Sequence, residues 1–219
     1  MSLELKKRIF TSFFLFLLLY LMHSFSYILI ISLIIIATIT WIEFYGLISK
    51  IFNKQKNKHN FLRFFNKSIS LIYLTLLVFW ILFIESKLPE LKIIIIYSIS
   101  ISIGSDIGGL FFGKILKGKK LTKISPNKTI AGAVGSIFFS LMLIPIFSKF
   151  FPEHSIYTLF IITILICLTS QVGDLFVSYL KRKAKVKDTS NLLPGHGGFL
   201  DRIDGIIFSI PVGLLLFNL

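Results

Sequence analysis

The feature that most constrains this chain is a succession of about seven apolar runs separated by short charged segments. In hydrocarbon a backbone must satisfy its own polar groups, so runs of this length fold as helices. They fall near residues 9–22, 27–49, 68–84, 91–112, 129–151, 155–180 and 201–219, with a tight turn expected at residues 23–26. The expected fold is all-α: a polytopic integral membrane protein with about seven transmembrane helices. Composition agrees. The chain is 55% hydrophobic and 16% charged, whereas soluble domains run at about 45–50% apolar and about 25% charged.

The first apolar run leads into the second without a small-residue cleavage site, so no cleavable signal peptide is expected. The lone Cys167 lies inside an apolar run, which excludes an intrachain disulfide and a Cys/His zinc cluster. A net charge of +14 could indicate a nucleic-acid binder. The distribution argues against it: all but Lys87, Lys92 and Lys149 of the 24 basic residues sit in short segments on alternate sides of the spans. Under the positive-inside rule this places the N-terminus in the cytoplasm and the C-terminus outside.

Against this background the acids stand out. All five aspartates lie between Asp106 and Asp204, and a carboxylate near the hydrocarbon costs roughly 2.5–3.5 kcal/mol on insertion scales, so it calls for a partner or a task. With the orientation above, the fourth and sixth spans descend to carry Asp106 and Asp174 towards the cytoplasmic interface, and the seventh begins there with Asp201 and Asp204. Asp174, Ser178 and Lys181 share a helix face by their i, i+4, i+7 spacing. One site is expected.

Carboxylates from two helices suit Mg²⁺, which keeps several waters and takes one or two carboxylates plus substrate phosphates. The same acids would also fit ion pairs with Arg202 or Lys181. Pro194-Gly195-His196-Gly197-Gly198 offers either a phosphate-cradling turn before a helix or a plain turn. His196 fits a base or a hydrogen-bonding loop residue. Lys181, Arg182 and Lys187 lie beside the acids as a phosphate clamp would, while Lys183 and Lys185 read as surface anchors. Ser125-Pro126-Asn127-Lys128-Thr129 fits a further phosphate contact or a helix start with Thr129 as N-cap. Glu43, inside the second run, admits either a functional or a structural role.

Ser178-x-x-Lys181-Arg182-(x)4-Lys187-Asp188-(x)5-Pro194-x-His196-Gly197-Gly198-x-x-Asp201-Arg202-x-Asp204 resembles the full signature of the phosphatidate cytidylyltransferases, or CDP-diacylglycerol synthases. Ser125-Pro126-x-Lys128-Thr129 and the acid-glycine cluster at Asp106 are similar to that family too. One departure is Ala131-Gly132, where members commonly carry an acid. The resemblance implies transfer of CMP from CTP to phosphatidic acid, giving CDP-diacylglycerol and pyrophosphate. It implies catalytic roles for Asp174, Asp201, Ser178, Lys181, Arg182, Lys187, Asp188, His196, Arg202 and Asp204. Substrate contacts would come from Ser125, Lys128, Thr129, Gly197, Gly198 and Asp106.

It further implies Mg²⁺ on Asp174 and Asp201, with a second, monovalent cation such as K⁺. The setting would be a bacterial inner membrane with the active site on the cytoplasmic side. Residues 1–219 would form one membrane domain, in which 1–100 supply the lipid cleft and the contacts of a homodimer, and 101–219 the chemistry. The rivals are another CTP-using membrane enzyme, such as a polyprenol or phytol kinase, and a cation or phosphate transporter. The clustering of the acids at one face and the absence of a visible internal repeat disfavour the transporter.

Overall fold

In a computed structural model, residues 3–52, 60–122, 125–126, 128–195 and 197–217 are described. Among these residues the fold is all-α, and helices coincide with each of the expected apolar runs. They are α1 (Leu3–Ser24), α2 (Ser26–Phe52), α3 (Asn60–Lys87), α4 (Lys92–Leu116), α5 (Ile130–Leu141), α6 (Ile144–Phe147), α7 (Ile156–Lys183), α8 (Leu200–Ile203) and α9 (Ile206–Phe217). Among the described residues five stretches are long and apolar enough to cross a membrane: α2, α3, α7, Pro89–Leu116 containing α4, and Ile130–Phe150 containing α5 and α6.

Phe25 N donates to Leu21 O at 2.9 Å and Leu29 N donates to Phe25 O at 3.1 Å. These bonds close the last turn of α1 and open the first turn of α2, and the two helices are separated at Phe25, within residues 23–26 where the turn is expected.

The chain divides into two compact units, Met1–Lys87 with Leu180–Arg202, and Leu88–Tyr179 with Ile203–Leu219. In the first, α2 packs against α3 and buries Leu47, Ile48, Leu74 and Ile84. In the second, α4 is the central element, packed against α5 and α9. Small residues permit that closeness. A Cβ on Gly108 would collide with the Gly135 carbonyl, and one on Gly132 would lie 2.8 Å from Gly109 O. Such small-residue contacts let membrane helices gain dispersion where water offers no hydrophobic drive. Hydroxyls add polar links: Ser136 Oγ donates to Ser105 O at 2.6 Å, Ser102 and Ser170 meet at 2.7 Å, and Tyr97 and Thr163 at 2.5 Å. Each is buried, so each satisfies groups that hydrocarbon would leave orphaned.

Candidate active site

The first unit builds a carboxylate cluster around the loop between α7 and α8. The loop begins with a tight helix end. Val186 N donates to Lys181 O and Lys185 N to Arg182 O, with Lys185 at φ 57°. These are the two bonds of a Schellman cap, and they turn the chain back on itself. The returning strand delivers Thr189 to Asp201. Thr189 N donates to Asp201 Oδ2 at 2.8 Å, Thr189 Oγ1 lies 2.9 Å from the same oxygen, and Gly198 N donates to it at 3.1 Å. The other oxygen, Oδ1, is held by the Lys181 ammonium at 2.6 Å. The Asp201 side chain is 6% exposed and that of Lys181 15%. A buried, ion-paired carboxylate with three further donors remains ionised.

Glu43 is the residue that sequence reasoning left open. It is buried, and its Oε1 accepts from Ser190 Oγ at 2.5 Å and Phe199 N at 3.0 Å. Its Oε2 accepts from Leu200 N at 2.8 Å and lies 2.9 Å from Thr189 Oγ1. The single Thr189 hydroxyl proton can serve Glu43 or Asp201, and it couples the two carboxylates. Glu43 therefore fastens both ends of the loop, at Thr189-Ser190 and at the start of α8. A signal existed: a carboxylate within an apolar run needs partners. Its partners were invisible because they lie 146 to 157 positions further along the chain.

The glycine turn is organised differently from a phosphate cradle. Gly197 N and O exchange hydrogen bonds with Leu193, and the next three N–H groups go to Asp201 and Glu43. Gly195 and Gly197 adopt φ of 78° and 83°, a region that L side chains rarely enter. A Cβ on Gly198 would lie 2.7 Å from Glu43 Oε2. In this arrangement the glycines let backbone approach carboxylates. His196 and Asn127 lie outside the described residues. Arg182, Lys187, Asp188 and Arg202 are exposed on this unit.

The second unit holds the other predicted residues. Asp174 of α7 pairs through Oδ2 with Lys128, and its Oδ1 accepts from Ser178 Oγ at 3.3 Å. Lys128 is delivered by a closed loop: Lys128 N donates to Ser125 O, Leu121 N to Lys128 O, and Ile130 N to Lys119 O. Thr129 caps α5 by accepting from Gly132 N at 3.0 Å, as its position predicted. Asp204 is buried, with Oδ1 accepting from Gly205 N at 2.9 Å, whereas Asp106 is exposed on α4.

The structure brings together Lys181, Asp201, Gly197 and Gly198 within the first unit and, separately, Lys128, Asp174 and Ser178 within the second. Each key carboxylate is ion-paired with a lysine, and for Asp201 it is the Lys181 pairing that the sequence allowed. In both pairs a metal cation would contest the ammonium's place on the carboxylate, and an anionic substrate the carboxylate's place on the ammonium. Among the described residues no three His, Cys, Asp or Glu side chains surround one point. That donor set does not form an all-protein metal cage. It does suit an ion that takes one or two carboxylates and completes its shell with water and phosphate, and Asp201 Oδ1, which accepts from Lys181, and the Asp174 oxygens, which accept from Lys128 and Ser178, keep lone pairs for it.

The chain is similar to a Rickettsia bellii protein named phosphatidate cytidylyltransferase, at 38% identity over 66% of this chain and 65% of that protein. It is similar to proteins of the same name from Rickettsia felis, at 43% identity over 49% of this chain and 51% of the relative, and from Bacillus subtilis, at 44% over 53% and 44%. The matched stretches thus cover about half to two thirds of these relatives' lengths. The model of the cytidylyltransferase family matches residues 2–219, and the chain belongs to that family.

Proposed function

We propose that the chain is a phosphatidate cytidylyltransferase. The observation that carries this reading is the Lys181–Asp201 pair, set in a loop that two buried carboxylates hold in shape. Its residues are those of the signature, and its chemistry is what an encounter between two anions needs. A phosphate oxygen of phosphatidic acid attacks the α-phosphorus of CTP. The bond from that phosphorus to the oxygen bridging the β-phosphate breaks, and pyrophosphate leaves with the electron pair. No covalent help from the protein is required, so catalysis is positioning and charge stabilisation.

In this reading Lys181 and Lys128 exchange their carboxylate contacts for phosphate oxygens, and Arg182, Lys187 and Arg202, exposed on the unit that holds Lys181, add charge. Asp201 and Asp174 would hold Mg²⁺, which supplies neutralisation of the triphosphate charge when bound. A second, monovalent cation completes the proposal. The multi-pass architecture supports a membrane setting, and the distribution of the basic segments supports a reacting face on the cytoplasmic side of a bacterial inner membrane.

The test is product analysis. Purified protein in mixed micelles of phosphatidic acid, given labelled CTP and Mg²⁺, should yield CDP-lipid and pyrophosphate in equal amounts. Release of CDP with a newly phosphorylated alcohol would instead make it a kinase.

A further inference from the structure

The facing surfaces of α2 and α3 carry a cationic site that the reaction above does not use. On α2, Trp41, Tyr45 and Ser49 recur every four residues and share a stripe, and on α3 Arg63 and Lys67 do the same. The stripes meet. Lys67 Nζ donates to Ser49 Oγ at 2.8 Å, and Arg63 Nη2 donates to the same oxygen at 3.4 Å. The Lys67 ammonium lies 3.1 Å from the centre of the Tyr45 ring, and Trp41 Nε1 donates to Lys67 O at 3.3 Å. Lys67 is only 9% exposed.

Among the described residues, ion pairs form at Lys128 and Lys181 but not at Arg63 or Lys67. Two cations therefore converge on one hydroxyl with no counter-ion among the described residues. A buried ammonium normally has an anionic partner, and like charges four apart on a helix repel. The face of Tyr45 offsets part of this. An anion would complete it.

The two cations line a groove of about 420 Å³, together with Asn60, Ser68, Phe64 and Leu71. An arginine fork takes two phosphate oxygens at once, and a lysine adds a point charge. Tyrosine and tryptophan belong at headgroup depth, and basic pockets between membrane helices hold phosphate headgroups. Glu43 points about 200° round α2 from Trp41 and Tyr45, so this groove is on the other side of the helix from the carboxylate cluster. We infer that the groove between α2 and α3 binds the phosphate headgroup of an anionic membrane lipid.

Fluorescence of Trp41 tests this directly. The chain has two tryptophans, so Trp80→Phe leaves Trp41 as the reporter. The full-length protein in zwitterionic micelles is titrated with phosphatidylglycerol or phosphatidylcholine carrying brominated acyl chains, in the absence of CTP. Phosphatidylglycerol should quench saturably and about tenfold more tightly than phosphatidylcholine. Arg63→Gln and Lys67→Met should each bring it to the phosphatidylcholine level, and Arg63→Gln carries the test if Lys67→Met does not fold. Equal quenching by the two lipids, or a preference that survives Arg63→Gln, would overturn the inference. Protection by millimolar inorganic phosphate would overturn the lipid source and assign a soluble phosphate instead. Because no turnover is read, the result stands whether or not the chain transfers CMP.

Discussion

Removing the Glu43 carboxylate should disable the Asp201 loop while leaving the helices intact. In Glu43→Ala, the N–H groups of Phe199 and Leu200 lose their acceptor, and the Ser190 and Thr189 hydroxyls lose a partner. Hydroxyls can rotate to other acceptors, but the two N–H groups are fixed by the start of α8. A buried donor left unsatisfied costs about 1–3 kcal/mol, so two cost about 2–6 kcal/mol. Water entering the vacated space lowers this to about 3 kcal/mol, or roughly two orders of magnitude in turnover if the loop must be in place for the reaction. Glu43→Gln keeps one carbonyl acceptor but turns an NH₂ towards donors, and should lose about tenfold. Glu43→Asp keeps the charge on a shorter arm and should fall nearest the parent. The assay is CDP-lipid formation at saturating CTP, beside helix content by circular dichroism. A structural role for the side-chain volume alone would leave Glu43→Gln at parental activity. Activity within twofold of the parent in both Glu43→Ala and Glu43→Gln would refute the reasoning.

Asp174→Asn and Asp201→Asn should each abolish turnover in folded, inserted protein, because an amide replaces neither the ligand charge nor the lysine pairing; near-normal turnover in both would remove them as metal ligands. Within the basic loop, alanine at Lys183 and Lys185 together should leave turnover within a few-fold, since these charges anchor the surface at about 1 kcal/mol each. Alanine at Lys181, Arg182 or Lys187 should each lower it by about two orders of magnitude, and equal effects at all five positions would mean that only summed charge matters. A reporter fused after Leu219 should read as extracytoplasmic and one at Lys117–Lys120 as cytoplasmic. A cytoplasmic C-terminus would show that one span is miscounted, and the α1–α2 junction at Phe25 is the first place to look.

The helices were legible because apolar runs of membrane length have few alternatives to helix. Thr129 was legible as a cap because capping is decided within one turn. Lys181 and Asp201 were legible as partners because both acid and base lay within one short signature. Two things were not. The glycine turn promised free N–H groups, but spacing cannot tell whether an external phosphate or an internal carboxylate will accept from them. The Glu43 carboxylate took that place from far away in sequence. Lys128 and Asp174 likewise come from separate segments, and only tertiary packing joins them.

The central claim is most directly tested by the fate of the α-phosphate of CTP. With α-³²P-labelled CTP, phosphatidic acid and Mg²⁺, the account predicts label in the lipid fraction as CDP-diacylglycerol, one pyrophosphate per lipid formed, and neither product with Asp201→Asn. Label that stays entirely in soluble nucleotide, with active membrane-inserted protein and phosphatidic acid present, would contradict it.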